Sequence, residues 1–240
     1  MAAVAAALEY ITVPAVKKHT ATVIFVHGLG DSGHGWKPVA EMFSADPSLS
    51  HVKWVLPHAR PRPVTANMGM VMPSWFDIKS FTFRAAEDEE GMMESVRYLT
   101  TLIDAEVASG LQPERIVLGG FSQGAALSLL TGLTLKELKL GGVVVLSGWL
   151  PLREKFKASM SSHATSLPVF WGHGTSDPLV RLELAKASVD ALKSFGFTVT
   201  SGISEIKGLS YNTYSGVEHS ADPKELQDLE GWISKVLPAL

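Results

Sequence analysis

The chain of 240 residues contains no cysteine, which excludes disulfides, thiolate metal ligands and lipidation of a cysteine side chain. It also lacks an excess of either charge. Its 21 basic and 24 acidic side chains leave a net charge of −3 and are mostly interspersed, so no electrostatic footprint for nucleic acid is present. No apolar run reaches the roughly 18 residues a membrane-spanning helix needs, so any membrane contact is expected to be peripheral. The alanine-rich stretch Met1 to Leu8 has no basic start and soon meets Glu9 and Tyr10, which argues against a secretory signal and for a cytoplasmic protein. Repeats, low-complexity tracts and linkers are missing too, and the proline-rich patch Pro57 to Pro63 reads as an ordered loop. No HExxH helix or carboxylate pairing accompanies the eight histidines, so neither a metal nor another cofactor is expected.

What the sequence does have is hydrophobic residues, 46% of the total, enough for one large core. A single domain over residues 1–240 is expected, with residues 1–20 as an extension or edge strand. Apolar runs at Thr22 to Val26, Val52 to Leu56, Ile116 to Leu118, Gly142 to Leu146 and Val169 to Trp171 read as strands buried on both faces, with a last strand around Tyr211 to Tyr214. Between them, Met92, Val96, Leu99, Ile103 and Val107 recur at helical spacing, as do Leu182, Ala185, Val189 and Leu192. Asp222, Pro223 and Glu225 form a capping box with a first-turn proline ahead of Leu226, Leu229, Ile233 and Val236. This alternation predicts an α/β fold, a mostly parallel sheet with helices on both faces.

Gly120, Phe121, Ser122, Gln123 and Gly124 sit where a strand gives way to a helix, the context of a nucleophile elbow. A bare G-x-S-x-G arises by chance; between strand and helix it marks Ser122 as an acyl-transfer nucleophile. Serine is weakly nucleophilic at neutral pH and needs a base, which in turn needs an orienting acid. Asp177, after the strand Val169 to Trp171, and His219, just before the final helix, supply them in the chain order Ser, Asp, His of α/β-hydrolases. Alone, Asp177 before Pro178 would read as a turn residue and His219 as a surface residue. His27, His34, His58 and His173 match the order less well. For the oxyanion hole, the Gln123 N–H at a helix start and the Leu29 N–H in the glycine-rich loop after the first strand are the candidate donors. That loop has neither the P-loop lysine nor the dinucleotide glycine spacing, which disfavours nucleotide binding.

Seven segments in order then carry a specific resemblance: Phe25 to Ser32, Pro57 to Val64, Met72 to Ile78, Leu118 to Ser128, Ser147 to Leu152, His173 to Val180 and Val217 to Ser220. Together they resemble the acyl-protein thioesterase and lysophospholipase family, small carboxylesterases of the α/β-hydrolase fold. The resemblance implies Ser122, Asp177 and His219 as triad, Leu29 and Gln123 as oxyanion donors, and no cofactor. It also implies an acyl channel walled by Met72, Trp75, Phe76, Trp149 and Leu150, where burial of roughly 0.8 kcal/mol per methylene favours long chains. The residues alone would place the apolar cluster Met68 to Phe76 in the core. The implied substrates are S-acylated proteins, with small acyl esters and lysophospholipids as alternatives, for a monomer or weak homodimer. A ligand receptor on the same fold is the reading from another class.

Two departures stand out. The N-terminal acylated cysteine of many animal members is absent. Residues Ser201 to Ser210 read as an insertion, an excursion from near Gly202 to near Gly208 with Tyr211 resuming the strand. In a surface loop it would cost little; inside the strand it would displace His219.

Overall fold

Continuous apolar runs of Val, Ile, Leu and Phe favour strands with both faces covered, and the runs found in the sequence all join one sheet. The computed structural model of the protein describes residues 8–80, 86–204 and 206–240. All of the alanine-rich start except Leu8 lies outside them, as does Glu205. Within them the chain runs β1 (Tyr10–Val13), β2 (Ala21–Val26), α1 (Gly33–Ala45), β3 (Val52–Pro57), β4 (Pro61–Val64), β5 (Met70–Pro73) and α2 (Glu89–Ala108). It continues through β6 (Ile116–Phe121), α3 (Gln123–Thr134), β7 (Gly142–Leu146), α4 (Arg153–Ser159), β8 (Val169–Gly174), α5 (Leu182–Ser194), β9 (Val199–Thr200), β10 (Leu209–Tyr214) and α6 (Pro223–Val236).

The main sheet has the order β1-β3-β2-β6-β7-β8-β10-β9. Only β1, Tyr10–Val13 at one edge, runs antiparallel to its neighbour. Alternation along β7 divides the core. Val143 and Val145 face α2, α3 and α5, with Leu99, Leu127 and Val189. Val144 and Leu146 face α1 and α6, with Trp36, Phe43 and Trp232. The expected stripes behave accordingly: Met92, Val96, Leu99 and Ile103 are buried, and Val107 packs against them half-buried. Among the described residues no helix is long and apolar enough to cross a membrane.

The proline-rich patch is not a loop throughout. Pro61 to Val64 pairs antiparallel with Met70 to Pro73 as a separate two-stranded ribbon. Proline is tolerated there because a two-stranded ribbon has free edges, where the missing N–H removes no ladder bond. The turn uses Met68 at φ 56° and Gly69 at φ 76°. Met68, Met70 and Val71 are 91%, 55% and 68% exposed, so this half of the apolar cluster is surface rather than core. Helix α1 carries no clear stripe in the sequence, although Trp36, Ala40 and Phe43 recur on one buried face; its glycines and Pro38 mask that period.

The excursion leaves the sheet intact. Residues 201–208 connect β9 to β10, Ile203 and Ile206 pack on the side of the core formed by α1 and α6, and the Lys235 ammonium donates to the Ile203 carbonyl at 2.6 Å. Strand β10 stays in register with β8 from Leu209↔Val169 to Tyr214↔Gly174.

At the start of α6 the capping box forms as expected, Asp222 accepting from the Lys224 N–H at 2.8 Å and Glu225 reaching back to the Asp222 N–H. Glu225 is 1% exposed, and burial pushes its carboxyl from 4.5 up to about 8, with Asp222 adding repulsion and its amide opposing. Between these values the folded state keeps a proton that the unfolded chain has released, so stability declines as pH rises through that window. The variant E225Q keeps the cap without titrating. Urea unfolding at about pH 5 and about pH 8 should show the wild type losing a few kcal/mol more than E225Q; equal losses would contradict a neutral buried acid.

Candidate active site

The elbow forms because two glycines let α3 start almost on top of β2. A Cβ on Gly124 would lie 2.2 Å from the Val26 carbonyl oxygen and 2.5 Å from that of His27; one on Gly120 would lie 2.6 Å from the Val26 oxygen. Between them Ser122 takes φ 54°, ψ −118°, a conformation costing on the order of 1–3 kcal/mol for a non-glycine residue. Its N–H donates to Leu146 O at 2.8 Å and its carbonyl accepts from the Ala126 N–H at 3.1 Å, so strand and helix together hold the strain.

The three residues separated in sequence meet here. His219 Nε2 lies 2.9 Å from Ser122 Oγ, and His219 Nδ1 lies 2.7 Å from Asp177 Oδ2. The other Asp177 oxygen accepts from the Leu179 and Val180 amides at 2.9 and 2.8 Å. Burial alone would raise the Asp177 carboxyl; the bond to and charge of His219, with the two amides, outweigh it and hold the group below the usual carboxylate range. The two loops that carry Asp177 and His219 are stitched together, Ser176 N–H to Val217 O at 2.9 Å and Gly216 N–H to Thr175 Oγ1 at 2.9 Å. The Phe121 ring packs 4.8 Å from the imidazole of His219.

The competing histidines are structural. His27 accepts the Ala59 N–H at Nε2, 3.0 Å, which assigns its proton to Nδ1 and the bond to Gly28 O at 2.7 Å; burial lowers its basicity. His173 is likewise buried, lowered, and bonded to Val180 O at 2.7 Å. His58 accepts the Gly33 N–H at 3.0 Å and stacks on His34. Among the described residues no group of three or more His, Asp or Glu side chains could hold a metal ion.

Leu29 lies beside Ser122 on the wall of a cavity of about 1110 Å³, and Gln123 is the first residue of α3. The Gln123 side chain has a task the sequence did not disclose. Its oxygen accepts the Trp75 N–H at 3.0 Å and its nitrogen donates to Ser74 Oγ at 3.0 Å and Phe76 O at 2.7 Å, so the elbow helix carries the adjacent wall. Trp75 is fixed from behind, its indole donating to His27 O at 2.8 Å and its carbonyl accepting from Ser95 Oγ.

Of the expected wall residues, Phe76, Trp149 and Leu150 line the cavity, with Met92 and Leu184. The rings of Phe76 and Trp149 meet edge-on at 6.3 Å. Trp75 instead packs behind the wall, 1% exposed, and Met72 sits on β5 near Gly30 and Asn67. The alternation of β5 and the three bonds from Gln123 decide which side chains turn inward, and neither is visible in an unperiodic apolar cluster.

A mostly parallel sheet, an elbow serine, and an aspartate and a histidine hydrogen-bonded in series to it from loops at the strands' C-terminal edge define an α/β-hydrolase. Comparison with known proteins agrees. The chain belongs to the Phospholipase/Carboxylesterase family, whose pattern matches residues 9–237. It is 48% identical to Acyl-protein thioesterase 1 of Cryptococcus neoformans var. neoformans serotype D over 236 residues, 96% of this chain and 98% of that protein. It is 46% identical to Acyl-protein thioesterase 1 of Gibberella zeae over 94% of each chain. Among solved structures it resembles Arabidopsis thaliana SOBER1, at TM-score 0.82 and 35% identity over 91% of this chain and 99% of that one. Zea mays acyl-protein thioesterase 2 matches with TM-score 0.82 and 28% identity over 95% and 99%.

Because Gly124 faces backbone that has no room to yield, Gly124→Ala should destabilise the protein by at least about 2 kcal/mol in urea unfolding and remove activity with it. Unchanged stability would contradict the close approach.

Proposed function

We propose that this protein hydrolyses thioester and ester bonds of fatty acyl chains, foremost those on S-acylated proteins, through an acyl-enzyme on Ser122. The observation that carries the reading is the hydrogen-bonded chain from Ser122 through His219 to Asp177, beside an apolar-walled cavity, in a chain closely similar to proteins named acyl-protein thioesterase 1. His219 Nε2 takes the Ser122 proton as Oγ attacks the carbonyl carbon. The negative charge of Asp177 stabilises the imidazolium, and its lowered pKa keeps it charged throughout. The Leu29 and Gln123 amides serve the developing oxyanion, aided by the positive end of α3. The tetrahedral intermediate collapses, His219 returns the proton to the leaving thiol or alcohol, and water attacks the acyl-enzyme by the same route in reverse.

A general carboxylesterase or lysophospholipase would use the same groups, and the family description favours keeping that second reading. The two differ in which leaving group is preferred. On either reading the protein acts as a monomer or weak homodimer in the cytoplasm, and reaches lipid surfaces peripherally.

Ser122→Ala should abolish fluorophosphonate labelling and hydrolysis of an S-palmitoyl-cysteine peptide; persistence of either would remove Ser122 as nucleophile. Asp177→Asn should lower kcat by roughly 10⁴ through misorientation of the imidazole, and near-normal turnover would assign the acid elsewhere. Since Asp177 stays ionised to low pH, the acid limb of kcat/KM should follow a single protonation, that of the histidine base. Two protonations on that limb, measured with a palmitoyl thioester, would contradict this division of roles.

A further inference from the structure

The cavity wall has an apolar part and a charged part. Phe76, Met92, Trp149, Leu150 and Leu184 form the first; Lys79, Glu87, Glu89, Arg153 and Lys155 belong to the second. All but Lys79 of these charged groups sit at the segments that open α2 and α4, and those segments contain none of Ser122, Asp177 and His219. Two ties join these segments across the cavity. A carboxylate oxygen of Glu87 accepts the Leu152 N–H at 2.6 Å, and Lys155 Nζ lies 2.6 Å from Glu89 Oε2.

The first tie falls on a strained residue. Leu152, the N-cap of α4, is left-handed at φ 49°, ψ 35° and makes no side-chain cap bond. Its carbonyl accepts the Lys155 and Phe156 amides at 2.8 and 2.9 Å, so its conformation fixes where the helix begins. A non-glycine residue holds such a conformation only where its surroundings over-determine it. Glu87 does so from outside the helix, and the Trp149 side chain and the Arg153 charge favour its ionised form. Desolvation raises the pKa of Glu87, while the Leu152 amide, Trp149 and Arg153 oppose the rise. A carboxylate kept in such a place is held by partners.

We propose that Glu87 is a positioning residue for acyl-chain specificity: by clasping the 149–152 turn it fixes the Trp149 wall against which a long acyl chain packs. The inference rests on the acyl-hydrolase reading above. Chain-length preference depends on that wall being in place, because each methylene gains only from apolar surface it touches. A short acyl group makes few of those contacts.

The test compares kcat/KM on p-nitrophenyl palmitate and p-nitrophenyl butyrate for wild type, Glu87→Ala and Glu87→Gln. In Glu87→Ala the palmitate-to-butyrate ratio should fall on the order of tenfold, through KM, the effect of losing a hydrogen bond to a charged group. Glu87→Gln, whose amide oxygen still accepts from Leu152, should restore most of the ratio. An unchanged ratio in Glu87→Ala, or equal losses on both esters, would overturn the proposal. If Glu87→Ala fails to fold, Lys155→Met, which cuts the second tie at an exposed site, must shift the ratio the same way, and no shift overturns it. Wild-type inactivity on both esters would overturn the hydrolase reading and this proposal with it.

Discussion

The constraint on which the site depends is the approach of α3 to β2, backbone against backbone, at Gly120 and Gly124. It forces Ser122 into a conformation that few residues adopt and aims its side chain at the cavity. It also brings Gln123 under the wall segment Ser74 to Phe76, where three hydrogen bonds fasten that segment to the helix. Ser122 and the cavity wall are thus positioned by the same few residues. A Cβ on Gly28 would lie 3.4 Å from the Ser122 Cβ, so the loop that carries Leu29 packs on the elbow.

Asp177 and His219 depend on the sheet in a different way. Asp177 and His219 sit on loops after β8 and β10, and these strands pair in register along six residues, so the loops leave the sheet side by side. Backbone bonds between the loops then hold the imidazole between carboxylate and serine. The excursion at 201–208 does not disturb this because it departs at the opposite end of β10 and packs on α6. The register of β10 on β8 runs unbroken from Leu209↔Val169 to Tyr214↔Gly174, the end from which the His219 loop departs.

How much was legible in the sequence depends on whether the signal was local. The elbow, the stripe of α2 and the capping box of α6 are written in spacings of a few residues, and all take the expected form. Ser122, Asp177 and His219 were readable as a set because loop position and chain order constrain them together. Which apolar residues of the 68–76 cluster face the cavity was not readable, since Gln123, some fifty residues away, decides it. The proline-rich β4 escaped notice because proline signals loop unless a free edge is available. Glu87 looked like one acid among many at a helix start, and its bond to Leu152 spans the cavity.

The central claim is that an acyl group passes through Ser122 Oγ. Rapid quenching of wild-type protein during turnover of a palmitoyl thioester, followed by mass spectrometry of its peptides, tests this directly. The account predicts a palmitoyl ester on the peptide containing Ser122, accumulating before steady state and chased by water. Turnover with that peptide unmodified at every time point, or with the acyl group on another residue, would contradict it.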